Sequence, residues 1–150
     1  MPITSVVADA NVLLSAVIGK AALRVFTDFP VDVHATRFNA EEVAEYLPHM
    51  AAKYGLSLEL VLLQWKLLPI HHHPEADYAA HLPRAVQDLA DYAAHLPRAV
   101  QDLADRDPDD AHPLALARAL SFPLWSNDRD LAGHGVKCFT TARLLKAWGG

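Results

Sequence analysis

The sequence predicts an α/β fold, three layers α/β/α with a central parallel sheet, and three observations predict it. Short, largely apolar runs (Ile3–Ala8, Val31–Ala35, Pro123–Ser126, Val136–Thr140) alternate with segments of helical periodicity, the order expected of strands joined by helical crossovers. The first run is continuous rather than alternating, as in a strand covered on both faces. Aspartates stand directly after, or at the start of, apolar elements: Asp9 after Ile3–Ala8, Asp110 opening a helix, Asp128 after Pro123–Ser126.

Each element has a local reason. After the first strand, Asn11 is placed to cap a helix through Val12–Val17, which Gly19 ends. Lys20–Asp28 reads as a second helix with Leu23, Val25 and Phe26 inward, and Pro30 stops it. Val31–Ala35 alternates like a strand. Asn39 is placed to cap a helix through Tyr54, with Val43, Tyr46, Leu47 and Met50 on one stripe. Gly55 closes that helix, Ser57 caps another to about Leu67, and Leu68–His73 can form a short strand. Asp109 or Asp110 opens a helix to Leu120. Pro123–Ser126 is a strand, Asn127–Ala132 a helical turn, Val136–Thr140 a strand and Thr141–Trp148 a closing helix.

At 150 residues the chain fits one domain, residues 1–150. A composition of 52% hydrophobic and 21% charged residues is that of a globular chain rather than a disordered one. The longest apolar run, Leu56–Ile70, is interrupted by Glu59, Gln64 and Lys66, so no membrane span is expected. The start, MPITSVVADA, lacks the pattern of a signal peptide. The single cysteine, Cys138, is expected as a small buried hydrophobe in a reducing, cytoplasmic setting. Net charge is −5, from 13 basic and 18 acidic residues, which is not the basic face of an electrostatic nucleic-acid binder. A nuclease is compatible with it, because metal-site carboxylates add to the negative count.

Residues 77–90 and 91–104 are identical, DYAAHLPRAVQDLA in direct tandem. Two copies are too few for a solenoid, and nothing else in the chain matches the unit. The duplication is expected to add an extra helix from Pro83 to about Leu96, with Val86, Leu89, Ala90 and Ala93 as its apolar stripe. At ~1.5 Å rise per residue this is roughly 20 Å of helix. It can pack on a second copy of the chain, exchange elements by domain swapping, or protrude.

Carboxylates gathered at the ends of parallel strands repel and raise one another's pKa unless a cation neutralises them. All-oxygen ligands suit Mg²⁺ or Mn²⁺, and such a site points to phosphate chemistry. Three motifs stand in order: Asp9-Ala10-Asn11 after an apolar strand, with Ser15 in the helix that follows; Glu42-Val43 in NAEEVAEYLP; and the block DPDDAHPLALARAL with PLWSNDRDL. Together they resemble the PIN domain, the nuclease fold of VapC-type toxins and related ribonucleases, over nearly the whole chain apart from one copy of the duplicate.

The resemblance implies an acidic cluster of Asp9, Glu42, Asp110 and Asp128, with Asp130 as a fifth member, holding one or two Mg²⁺ or Mn²⁺ ions. It implies Asn11, Ser15, Ser126 and Asn127 as polar neighbours. The activity it implies is RNA hydrolysis leaving a 5′-phosphate and a 3′-hydroxyl, with Asp9 as central ligand and Glu42 holding a second ion or placing the attacking water. The implied partners are RNA, an antitoxin protein and a second copy of the chain in a homodimer, with no membrane. Arg106 and Arg129 flank the acids as candidate phosphate contacts or as salt-bridge partners.

Several assignments stay open on the residues alone. Asp9 can simply cap a helix, Glu41 and Glu45 rival Glu42, and Asp109 and Asp110 can exchange roles. Asp128 and Asp130 can each be an N-terminal helix charge. His71, His72 and His73 alternate faces on a strand, so they read as an exposed edge with at most weak zinc or nickel affinity. His81 and His95 are copies of one another, while Trp65 and Trp148 are expected in the core. Two other functions compete: a catalytically silent PIN-like binding or scaffold domain, and an acidic-site DNA nuclease of flap type.

Overall fold

Val6, Val7 and Ala8 are fully buried, and the strand they form (β1, Ser5–Ala8) is central in a five-stranded sheet of order β3-β2-β1-β4-β5. All pairings are parallel, with Val7 lying beside His34 on one side and Leu124 on the other. The computed structural model describes residues 3–94 and 110–149. The other strands are β2 (Asp32–Thr36), β3 (Ile70–His73), β4 (Leu124–Trp125) and β5 (Cys138–Phe139). The expected three-layer α/β architecture is the one observed.

Alternation along the strands divides the interior in two. Val6, Ala8, Val33, Ala35 and Trp125 face one layer, formed by α1 (Ala10–Ile18), α2 (Ala21–Asp28), α3 (Arg37–Lys53), α4 (Leu58–Leu67) and α7 (Thr141–Gly149). Val7 and Leu124 face the other, where α5 (Leu82–Ala94) and α6 (Ala111–Leu120) pack. Among the described residues no single helix is long and apolar enough to cross a membrane.

Helix entry differs from the sequence reading at two places. The cap of α1 is Asp9, whose Oδ1 accepts from the Val12 N–H at 3.0 Å, and not Asn11, which is exposed. The cap of α3 is Thr36, whose Oγ accepts from the Asn39 N–H at 2.9 Å; Asn39 sits inside the first turn. In both cases the cap is the residue that ends or directly follows the strand and is still extended, so strand runs into helix with almost no loop. Ser57 caps α4 as expected, and Gly55, at φ 64°, takes the left-handed turn after α3.

The apolar stripe expected on the helix of the repeat is also corrected. Helix α5 crosses the junction between the copies, with Leu82, Ala85 and Leu89 turned to the core, whereas Val86 and Ala90 are exposed. Its position follows from α6, whose Arg118 reaches Asp88 at 2.7 Å. Up to Ala94 this helix is packed rather than protruding. Cys138 is only half-buried, because β5 is a sheet edge. Trp65 packs against the first core as expected. The expectations for His95, Arg106, Asp109, the Trp148 side chain and the helix beyond Ala94 lie outside the described residues.

Candidate active site

Strands β1 to β3 step outward on one side of β1, and the chain then returns to place β4 on the other side. The carboxyl ends of β1 and β4 therefore mark the switch point where parallel sheets open a crevice. Asp9 leaves β1 there, and Ser126 and Asp128 leave β4.

Asp9 is 5% exposed. Its Oδ2 accepts a short hydrogen bond from the Ser126 hydroxyl, and Ser126 Oγ in turn accepts from the Asp128 N–H at 3.0 Å. Asp128 Oδ1 accepts from the Asp130 N–H at 2.9 Å, so this carboxylate caps the turn Arg129–Leu131. Burial pushes the Asp9 pKa up from 3.8 to about 6, and the nearby Asp128 charge adds to the rise. Hydrogen bonds from Ser126 and the Val12 N–H oppose it.

Asp9, Asn11, Asn39, Glu42, Asp110 and Pro113 line one small cleft of about 80 Å³. Three acids from three separate elements thus face a common space. Asp110 stands at the entrance of α6, where its side chain makes no capping hydrogen bond. Glu42 is half-buried on α3, and its Oε1 accepts from Asn39 Nδ2 at 2.9 Å. A longer groove of about 450 Å³ shares Asn11 and Glu42 with the cleft and continues past Leu14, Glu45 and Tyr46.

The remaining site expectations fall as follows. Glu41 is exposed, and Glu45 lines the groove but not the cleft. Asp128 reaches Asp9 through Ser126 rather than lining the cleft. Asn127 Oδ1 accepts from the Thr141 N–H at 2.9 Å and so holds the start of α7. Arg129 is exposed beside the acids, while Ser15 is half-buried on α1 and does not line the cleft. His71 and His72 are exposed on the edge strand as expected. His73 instead turns in, bonding His34 Nδ1 at 2.9 Å and Asp77 at 2.8 Å.

Sequence reasoning missed the buried pair Thr36 and Asn39 behind Glu42. Thr36 Oγ donates to Asn39 Oδ1 at 2.7 Å while accepting from the Asn39 N–H. The available signal was spacing: Thr36, Asn39 and Glu42 recur every third residue from the cap of α3 into its first turns.

The donor set of the cleft is oxygen throughout, which fits a hard divalent cation such as Mg²⁺ or Mn²⁺. Among the described residues no three His, Cys, Asp or Glu side chains converge on one coordination sphere. Holding an ion by more than two carboxylates therefore requires side-chain rotation or bridging water, a mode in keeping with Mg²⁺, which retains several waters.

No curated protein matches the chain. Its fold resembles a chain described as a toxin–antitoxin complex from Klebsiella pneumoniae, with TM-score 0.53 and 19% identity, covering 91% of this chain and 97% of that one. The family described as the PIN domain matches residues 7–148, a span that takes in every acid of the cleft, and the chain belongs to that family.

Proposed function

We propose that the chain is a metal-dependent ribonuclease of PIN type, hydrolysing RNA phosphodiester bonds as the toxin of a toxin–antitoxin pair. One observation carries this reading: Asp9, Glu42 and Asp110 line a single cleft at the switch point of a PIN-family sheet. Asp9, Glu42, Asp110 and Asp128 would hold one or two Mg²⁺ or Mn²⁺ ions, with Asp130 as a further acid. A bound divalent ion supplies charge stabilisation at the scissile phosphate and lowers the pKa of water.

The chain's own residues supply order around that charge. Ser126 fixes Asp9 in one rotamer and is itself held by the Asp128 N–H. Asn39 turns the Glu42 carboxylate toward the cleft. Arg129, exposed beside the acids, is a phosphate contact in this reading. An antitoxin partner is supported by the resemblance to a toxin–antitoxin complex. A homodimer, swapped through residues 77–104, and a cytoplasmic location complete the proposal.

The test is Mn²⁺-dependent cleavage of a mixed single-stranded RNA pool, with Asp9→Asn beside the parent. Cleavage lost in the variant is the expected result. Cleavage of DNA but not RNA assigns the site to a flap-type nuclease. A second reading, the silent binding domain, is favoured by the lack of three converging ligands among the described residues. Mn²⁺ bound without cleavage of either nucleic acid establishes it.

A further inference from the structure

Tyr46 stands on α3 four residues after Glu42, so the two share a helix face, and both line the groove of about 450 Å³. The sequence pattern puts Tyr46 on the core stripe with Val43 and Leu47. Those two are fully buried, whereas Tyr46 is 47% exposed. Its ring meets that of His49, one turn further along and itself exposed, with centroids 5.1 Å apart. Packing of the core therefore does not account for this ring.

The groove is apolar along Ala10, Leu14, Val43 and Tyr46, and acidic at Glu42 and Glu45. Among the described residues no lysine or arginine lines it. A phosphate here would meet two carboxylates and no cationic side chain, and like-charge repulsion excludes it. A cation on Glu42 leaves Glu45 still opposed to it. A flat, neutral, aromatic ring fits instead, because it can stack on Tyr46 and turn its polar edge to Asn11. The volume falls in the range of small-molecule sites, roughly 300–1,000 Å³.

We propose that this groove is a base-binding subsite, in which Tyr46 stacks on one unpaired base of the RNA whose phosphate lies in the adjoining cleft. Continuity supports it: Asn11 and Glu42 line groove and cleft alike. At ~1.5 Å rise per residue, Tyr46 lies roughly 6 Å along α3 from Glu42, a span within the reach of one nucleotide. A base stacked on a side chain is withdrawn from its own helix, so the subsite selects single strands over duplexes. Every base has a π-face, so the selection is for an unpaired base rather than for a sequence.

The inference rests on RNA being the substrate of the proposed site, so binding is measured apart from cleavage. The probe is an end-labelled, mixed-sequence single-stranded RNA, followed by fluorescence anisotropy with Mn²⁺ on the Asp9→Asn protein. The same protein carrying Tyr46→Ala or Tyr46→Phe is compared with it, each checked for a cooperative melt. Tyr46→Ala should weaken binding at least about fivefold, and Tyr46→Phe less than about twofold. Copies of the RNA lacking one base at successive positions form the second arm. At one position the missing base should cost a similar factor where Tyr46 is present and nothing further in Tyr46→Ala. With Asp9 intact, Tyr46→Ala should raise KM for RNA by the same factor and leave kcat within about twofold of the parent. The RNA annealed to its complement should bind Tyr46→Ala as well as it binds the protein with Tyr46.

RNA affinity and KM unaltered by Tyr46→Ala overturn the subsite, and so does a missing-base loss that persists in full in Tyr46→Ala. In the first case, a lower mass for Tyr46→Ala by light scattering assigns the groove to a second copy of the chain. Cleavage by the parent alongside either result leaves the proposed function standing without the subsite. Tyr46-dependent binding with no cleavage has the reverse meaning. Where Asp9→Asn itself abolishes RNA binding, KM alone decides, and a chain that neither binds nor cleaves single-stranded RNA overturns both.

Discussion

Ser126 donates its hydroxyl proton to Asp9 across 117 positions of sequence, and the bond joins the carboxyl ends of two neighbouring strands. It satisfies one oxygen of a buried carboxylate, and the Val12 N–H satisfies the other. Hydrogen bonding lessens the cost of burying that charge without removing it, since burial still holds the pKa at about 6.

Asp9→Asn should therefore stabilise the protein at neutral pH while removing function. The folded pKa lies above the unfolded value of 3.8, so the folded state binds the proton more tightly. Asp9 costs nothing below about pH 3.8, its penalty grows as pH rises through the interval, and it is complete above about pH 6. A shift from 3.8 to about 6 corresponds to up to about 3 kcal/mol. Asparagine keeps a capping oxygen for Val12 and can donate to Ser126. Urea unfolding of both proteins at pH 4, 5, 6 and 7 should show the variant's advantage widening with pH; a constant difference contradicts the assigned titration.

The same ionisation should appear in catalysis with the opposite consequence. At sub-saturating Mn²⁺ the free protein dominates, so kcat/KM should fall about tenfold per pH unit below about pH 6, where Asp9 is protonated. Saturating Mn²⁺ competes with the proton and should move the midpoint lower. A midpoint that ignores Mn²⁺ concentration assigns the limb to another group.

Three glutamates on α3 give a sharper discrimination. Glu42 lines the cleft, Glu45 lines only the adjoining groove, and Glu41 is exposed. Glu42→Gln should lower the cleavage rate on the order of a hundredfold or more, and Glu41→Gln and Glu45→Gln by less than about twofold. Single-turnover rates at one Mn²⁺ concentration decide it, and an equal loss in Glu45→Gln contradicts the choice of Glu42.

The acids at element ends were legible because strand, carboxylate and helix follow one another within a few residues, as at Ala8, Asp9 and Ala10. Burial on both faces of β1 was legible from its unbroken apolar pattern. Which polar residue caps each helix was not, since Asp9 and Asn11, or Thr36 and Asn39, both fall inside the window a cap occupies. The strand end decides between them, and the sheet partner fixes where the strand ends. The inward face of α5 was misread because its choice depends on α6, through Arg118 and Asp88. The Tyr78–His112 and His34–His73 bonds join residues 34 and 39 positions apart, distances over which local pattern carries no signal.

Strand β4 and the loop leaving it are each tied to the start of α7 by one bond. Trp125 Nε1 donates to Thr141 Oγ1 at 2.9 Å, and the Thr141 N–H donates to Asn127 Oδ1 at 2.9 Å. Thr141→Val leaves a buried indole N–H without an acceptor, a loss of about 1–3 kcal/mol. Thr141→Ser restores the acceptor and should recover most of it. Chemical denaturation of the two variants checks this, and equal stabilities would show that the indole bond contributes little.

Removing either copy of the repeat gives the same chain, because the copies are identical. The remaining copy can supply Tyr78 to His112, Leu82, Ala85 and Leu89 to the second core, and Asp88 to Arg118. Among the described residues, the contact of Tyr92 with His134 is one that the remaining copy does not replace. The shortened chain should thus melt within a few degrees of the parent, a change of about 1 kcal/mol or less. If the second copy drives association by swapping or by added helix surface, light scattering should show the mass per particle falling to that of a simple dimer. An unchanged number of chains per particle would sink that role. Loss of the cooperative melt would mean that residues 91–104 belong to the core of the domain rather than to its assembly.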